Sequence, residues 1–272
     1  MLHILLPTDF SDTSLKAATF AIDLFGTGQA KYTAVHTYLK PAFDNVLLPR
    51  IGDSTRIEAV NGLRRFERKC RKYAGKMVLA RKVSPSMLTD VLNELAQKKG
   101  ADLIVMGTQG AGNYGLVGSN TTAVVLGADT PVITVPSQWV PAPVSRILLA
   151  YDGGTLDRST LKPLIDLAAR THAEVVLAHV RDNIPAFDKR ADRKHVAELF
   201  NGVPHTFVTV QGDEVMKTVD DLARQGRIQL VAVIHRQKGF WEGLFHSSKA
   251  KRMALHTTVP LLVLPERTQG PK

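Results

Sequence analysis

Cysteine is nearly missing from this chain: Cys70 is the single one in 272 residues. No internal disulfide is available, which suits a reducing compartment, and no metal site built on thiolates can form. Long apolar runs are missing too. None approaches the roughly 18 residues of a membrane span, and the opening stretch, Met1 to Asp9, has no basic segment ahead of its apolar one. Neither a membrane anchor nor a signal peptide is expected, and the expected location is cytoplasmic. Catalytic signatures are scarce as well. The sequence has no Gly-x-Ser-x-Gly nucleophile elbow, no obvious carboxylate pair, no Gly-Lys-Ser/Thr phosphate loop and no His-x-x-x-His or His-Glu-x-x-His pattern. His235, His246 and His256 are therefore read as satisfied or exposed side chains, and no metal site is expected.

What is present is ordinary globular material. Apolar residues make up 44% and charged residues 22%, which argues against disorder and fibrous repeats. The length allows one large domain or two of about 135 residues. The formal charge of +10 would suit an anionic partner. Its densest cluster runs from Arg64 to Lys72 and continues with Lys76, Arg81 and Lys82. Leu63, Phe66, Cys70 and Tyr73 fall at helical spacing within it, so the cations are expected on the wet face of one amphipathic helix. That reading is preferred to a nucleic-acid site because no aromatic-rich or recognition-helix signature accompanies the cluster.

A repeat on the scale of a domain organises the chain. Ile4-Leu-Leu-Pro-Thr-Asp9 is answered by Ile147-Leu-Leu-Ala-Tyr-Asp152, and each run leads into a helix. In the first half Ser11 or Asp12 can cap a helix carrying Leu15, Ala18, Ile22 and Phe25 before Gly26 stops it; the second uses Leu161, Leu164, Ile165 and Leu167. Further matched strands are Tyr32 to His36 with Glu174 to His179, and Asp102 to Met106 with Gln229 to Val233. Helical stretches over Leu88–Lys98 and Val215–Arg224 precede the latter pair. The closing strands, Thr130 to Pro136 and Val259 to Pro265, share prolines offset by 129 positions. Continuous apolar strands alternating with helices predict parallel sheets covered on both faces. The proline-rich segment from Pro136 to Pro143 reads as a linker, giving domains 1–143 and 144–272. Lys40–Ser54 and Val180–Asp192 read as surface connections.

In such sheets ligands collect beyond the C-terminal strand ends, where strand order reverses. Three loops of the first half meet there: Pro7-Thr8-Asp9, His36-Thr37, and the stretch from Gly107 to Thr121. The last has five glycines in the twelve positions from Gly107 to Gly118. Bare backbone can turn tightly there, Ser119-Asn120-Thr121 can cap the next helix, and the amides at a helix start suit a phosphate. A dinucleotide fingerprint would belong after the first strand, where Pro-Thr-Asp stands instead. In the second half Ile234 takes the place of Gly107 and Gln237 that of Gly110. Close backbone approach is thereby lost, while His235, Arg236 and Lys238 keep side chains that attract an anion.

The chain resembles the universal stress protein (UspA) family in its tandem two-domain form. The resemblance is carried by Pro7-Thr-Asp-Phe-Ser11, Val35-His36, Met106-Gly-Thr-Gln-Gly110, Gly118-Ser-Asn-Thr121 and Thr130-Pro-Val-Ile-Thr-Val135. It implies two Rossmann-like α/β domains, each an open five-stranded parallel sheet of order 3-2-1-4-5. It also implies a stress-response protein that binds ATP or another adenine nucleotide, with Mg as an optional companion, through its first domain. By that resemblance Pro7, Thr8 and Met106 border the ligand and Asp9 and Thr37 lie against adenine or ribose. Gly107 and Gly110 would then flank ribose and phosphates, and Gly118, Ser119 and Asn120 would surround the phosphates. The family pattern has nine residues between its second and third glycines; here seven, Ala111 to Val117, separate Gly110 from Gly118, so a shorter cradle holds fewer phosphates or none. The second domain is expected to be degenerate. The closing strands of this family pair between subunits, which the two halves would satisfy as an internal pseudo-dimer, with a homodimer of chains left open. No catalysis is expected beyond slow ATP hydrolysis. A ligand-free interaction protein, and nucleic-acid binding through Arg64–Lys72 with steep salt dependence, remain the alternatives.

Overall fold

A computed structural model of the chain describes residues 1–38, 51–108, 118–151, 156–181, 190–211, 220–222, 224–225, 227–235 and 258–266. Two compact units divide it, Met1–Gln138 and Trp139–Lys272. The division falls inside the proline-rich segment 136–143.

The first unit runs β1 (Leu2–Pro7), α1 (Asp12–Phe25), β2 (Ala30–Thr37), α2 (Ile51–Ala74), β3 (Leu79–Ser84), α3 (Leu88–Lys99), β4 (Leu103–Gly107), α4 (Ser119–Gly127) and β5 (Val132–Val135). Its strands lie in the order β3-β2-β1-β4-β5, all parallel. The second unit runs β6 (Arg146–Tyr151), α5 (Arg158–Thr171), β7 (Glu174–Arg181), α6 (Arg190–Leu199), β8 (His205–Gln211), β9 (Leu230–His235) and β10 (Leu261–Pro265). Its order is β8-β7-β6-β9-β10, again parallel. Both units thus have the 3-2-1-4-5 order that the resemblance implies.

The central strands are apolar throughout because both of their faces are covered. Ile4, Leu5 and Leu6 of β1, and Ile147, Leu148 and Leu149 of β6, are all buried. Each such side chain contributes about 1.5–3 kcal/mol by leaving water. The helices start and stop on recognisable chemistry. Ser11 caps α1 by accepting from the Ser14 amide at 3.2 Å, and Gly26 ends it in the left-handed region at φ 71. In α5 the Asp157 carboxylate accepts from the amides of Ser159 and Thr160 at 3.0 and 3.2 Å. Ala18, Ile22 and Phe25 of α1 and Leu161, Leu164 and Leu167 of α5 are buried, whereas Leu15 and Ile165 are only half-buried.

Four expectations need correction. The connection read over Val180–Asp192 is shorter at both ends, because β7 runs to Arg181 and α6 starts at Arg190. Helix α2 already begins at Ile51, so residues 51–54 are helical and not part of a connection. Leu63, Phe66 and Cys70 do form its buried stripe, but Tyr73 is 50% exposed. Its hydroxyl donates to the Asp23 carboxylate at 2.7 Å, which lets it stay at the surface. The cationic cluster does not lie on one helix either. Gly75, at φ 70, follows the helix end, and Arg81 and Lys82 sit on β3, the edge strand of the first sheet. The remaining sequence-derived segments, including 40–50, 182–189 and most of 215–224, lie outside the described residues. No described helix is long and apolar enough to cross a membrane.

Candidate functional site

Strand order reverses between β1 and β4, so the crevice expected for this topology opens where Pro7-Thr8-Asp9 and Gly107-Thr108 leave the sheet. Pro7, Thr8 and Met106 are buried there, Thr37, Gly107 and Gly118 half-buried, and Asp9, Ser119 and Asn120 exposed. Gly110 and the rest of loop 109–117 lie outside the described residues.

Thr8 turns the chain from strand into helix. Its amide donates to the Val35 carbonyl at 2.9 Å, continuing the β1–β2 ladder. Its hydroxyl accepts from the Phe10 amide at 3.0 Å and lies 2.9 Å from the Ser14 hydroxyl. Because Ser14 donates its own proton to the Ser11 carbonyl at 2.8 Å, Thr8 is the donor in that pair. Asp9 folds its carboxylate onto the next turn: one oxygen accepts from the Ser11 amide at 3.1 Å and from the Ser11 hydroxyl at 2.5 Å.

Phe10 sits between these bonds with φ 69, in the left-handed region, which costs a side-chain-bearing residue on the order of 1 kcal/mol. Packing offsets the cost. The Phe10 ring stacks on His36 with centroids 4.3 Å apart, and Gly62 of α2 makes room for it: a Cβ there would meet the ring at 2.3 Å. His36 in turn donates from Nδ1 to the Thr8 carbonyl at 2.8 Å. The ends of β1 and β2 and one turn of α2 are thereby fastened together. Sequence reading missed this knot. An aromatic residue between an aspartate and a helix cap was its only signal.

Gly107 proves to be needed for a reason the loop composition does not reveal. A Cβ on Gly107 would lie 2.8 Å from Thr13 Cγ2 and 3.1 Å from the Thr13 backbone carbon and oxygen. The backbone that approaches this glycine is the first turn of α1. Gly107 also accepts from the Thr121 hydroxyl at 3.0 Å. The Gly118 amide donates to the Thr108 carbonyl at 3.0 Å, and the Thr108 amide to Val135 at 3.1 Å. Both ends of the glycine-rich loop are therefore pinned to each other and to the sheet.

The start of α4 corrects the expected cap. Gly118 is the N-cap, with φ −63 and ψ 143, and no side chain caps the helix. Ser119 and Asn120 instead occupy the first exposed turn, where helix geometry provides no carbonyl for the backbone amides. No acidic residue stands in that turn, so its positive helix end is not neutralised locally.

The second unit departs at the matching point. Gly107 pairs with Val135 and Ile234 with Leu264, while Leu103 pairs with Ile4 and Leu230 with Ile147. Both registers put Ile234, 3% exposed, where the first unit has Gly107. The connection into α5 spans residues 152–157, two residues more than 8–11 ahead of α1. Whereas α1 packs chiefly on β4, α5 has its main sheet contact with β10. Asp152, Arg236, Gln237, Lys238, His246 and His256 lie outside the described residues. Among those described, no group of three or more His, Cys, Asp or Glu is placed to hold a metal.

Fold and crevice together define a tandem α/β protein of doubly wound domains, with the two strand-end sites built differently. The universal stress protein family model matches residues 1–136 and again 143–265, and the chain belongs to that family in its tandem form. A universal stress protein of Mycolicibacterium smegmatis is 26% identical over 186 residues, 62% of this chain and 63% of that relative, so the match spans less than two thirds of its length. Universal stress protein MJ0531 of Methanocaldococcus jannaschii is 35% identical over 143 residues, 48% of this chain and 80% of that one. Among solved structures, a universal stress protein from Archaeoglobus fulgidus is similar with a TM-score of 0.73 at 19% identity, covering 97% of this chain and 98% of that one.

Proposed function

We propose that the first domain binds an adenine nucleotide, with ATP as the leading candidate, at the ends of β1, β2 and β4, and that the protein acts as a binding or sensing protein in the stress response. The observation that carries this reading is the open start of α4. Its first-turn amides have neither a side-chain cap nor a nearby acid, and they follow a loop whose two ends are tied together through Thr108 and Gly118. Ser119 and Asn120 would hold phosphate there. Asp9 would receive ribose hydroxyls at the end of β1, and Pro7, Thr37 and Met106 would border the base and sugar. Gly107 supports the site indirectly, because its bare Cα is already used by Thr13; Gly110 is left to meet the ligand. Mg would enter with the nucleotide's own phosphates.

The second domain is proposed to be structural or to serve another ligand, since Ile234 fills the position of Gly107. The two halves are proposed to pair their closing strands as a pseudo-dimer, with domains 1–143 and 144–272, in a cytoplasmic protein. No catalytic role is assigned; slow ATP hydrolysis, if present, would show as ADP formation that disappears with Asp9→Ala.

Calorimetric titration with ATP and ADP tests the site, alongside mass spectrometry of small molecules released from the natively purified protein. Asp9→Ala is expected to weaken binding about tenfold, the worth of a hydrogen bond between charged and neutral groups. Gly118→Asp would cap α4 and place a carboxylate on the phosphate position, abolishing binding while leaving stability equal or higher. Unchanged affinity in Gly118→Asp would sink the assignment.

A further inference from the structure

Among the described residues, the outer face of α2 carries charge that its surroundings do not balance. Arg64, Arg65, Arg68, Lys69 and Lys72 on the helix, and Lys76 just past its end, are exposed. Glu67, the carboxylate among them, is taken up by Arg71 at 3.0 Å and by Arg81 of β3 at 3.4 Å. Among the described residues the six cations have no ion pair. Elsewhere exposed lysines do find partners: Lys98 with Glu94 on α3 at 3.0 Å, and Lys162 with Asp166 on α5 at 2.5 Å. Like charges three and four residues apart destabilise a helix, and α2 keeps several such pairs, among them Arg64 with Arg68 and Arg68 with Lys72.

The cations also have a shape. Asn61, Arg64, Arg65, Glu67, Arg68 and Arg71 line an open groove of about 530 Å³, and Arg81 of β3 reaches one of its lining residues, Glu67. Steps of four residues from Arg64 to Arg68 to Lys72 advance about 6 Å each along the helix, close to the axial rise of two phosphates of one strand of a duplex, about 3.4 Å each. Arginine forks suit phosphate oxygens. A protein partner would need apolar anchors in the same place. The exposed large apolar residues among those described are Met1, Ile57, Tyr73, Val78, Met87 and Val140; Ile57 and Tyr73 lie on α2 on either side of the groove and neither lines it. Recognition through charge alone is the mode of phosphodiester backbones.

We propose that the basic face of α2, joined by Arg81 of β3, binds the phosphate backbone of nucleic acid without sequence preference. This site is separate from the strand-end crevice. The expected exposure of the cations is met; the missing counter-charges and the arrival of Arg81 from a second element shift the balance from a merely solvated face to a binding one.

The test uses the full chain and fluorescein-labelled DNA of about 20 nucleotides, single-stranded and duplex, followed by anisotropy between about 50 and 200 mM salt. Arg64→Gln/Arg68→Gln/Lys72→Gln is expected to bind at least tenfold more weakly at low salt. Its slope of log affinity against log salt should flatten by about two to three for duplex. Lys98→Gln/Lys99→Gln/Lys162→Gln removes equal charge from other helices and should change affinity less than twofold. Arg68→Glu alone provides a second, single-site version of the loss, and thermal melts check that each variant folds. No binding by the unmodified chain at the lowest salt overturns the proposal, as does an equal loss in the control set. Competition by polyglutamate as effective as that by DNA would point to an acidic polypeptide and overturn it too.

Discussion

At the end of β4 the backbone bears a hydrogen where β9 bears an isoleucine side chain, and the helices that follow the first strand of each domain are placed accordingly. In the first domain α1 comes down on the bare Cα of Gly107, with Thr13 at a distance that no Cβ would survive. In the second, two extra residues precede α5, which rests mainly on β10. One sheet order thus supports two strand-end environments. The difference begins in how closely a helix is allowed to approach, before any ligand is involved. A glycine in a nucleotide-type loop can serve the protein's own packing as much as its ligand.

The sharpest attack on this contrast is to exchange the two residues. Gly107→Ile puts a branched side chain against the Thr13 backbone, which cannot yield as a flexible side chain can. Urea unfolding of the first domain should show a loss of about 3 kcal/mol, and nucleotide binding should vanish because α1 carries the Asp9–Ser11 turn with it. A neutral Gly107→Ile would mean that α1 has room to move, and the contrast would collapse. The reverse change, Ile234→Ala, should cost about 2 kcal/mol through the cavity it leaves without creating a nucleotide site. Gain of ATP binding in that variant, measured by the same calorimetry, would show that a single side chain separates the two domains' chemistry.

A smaller effect tests the opposite, N-terminal end of the first sheet. His3 is buried, 2.9 Å from the Thr33 hydroxyl through Nε2 and 3.3 Å from the Lys99 carbonyl through Nδ1. Burial, with Lys31 and Lys99 nearby, holds its pKa below the usual 6.5, against the opposing pull of the Lys99 carbonyl and Asp102. The folded state therefore prefers the neutral ring. Its contribution is complete above about pH 6.5 and is lost as pH falls through the lower folded value. Denaturant titrations from pH 7.5 to about 5 should show this slope in the unmodified chain and a shallower one in His3→Gln. Equal slopes would remove His3 from the first domain's acid response.

Much of this was legible in the sequence. The paired apolar strands, the Ser11 cap, the Gly26 stop and the replacement of Gly107 by Ile234 follow from residues alone, because buried parallel strands leave an unbroken apolar record. The third strand of each domain, β3 and β8, was not legible. β3 reads Leu-Ala-Arg-Lys-Val-Ser, with polar side chains that an edge tolerates and that look like a continuation of the α2 charge cluster. Nor did composition show that Gly118 would cap α4 while Ser119 and Asn120 stand past it, since a one-position shift of a helix start leaves no trace in residue types. The Phe10–His36–Gly62 knot depends on residues far apart in sequence whose pairing only the fold supplies.

The lone sulfur offers one more use. Cys70 lies fully buried on the inner stripe of α2, and burial raises its pKa to about 12, so near neutral pH it presents almost no reactive thiolate. A thiol reagent will modify it only when α2 lifts from the sheet. Pulsed alkylation followed by intact-mass measurement then counts, molecule by molecule, how often the first domain breathes open, with no label to install and no competing site to subtract.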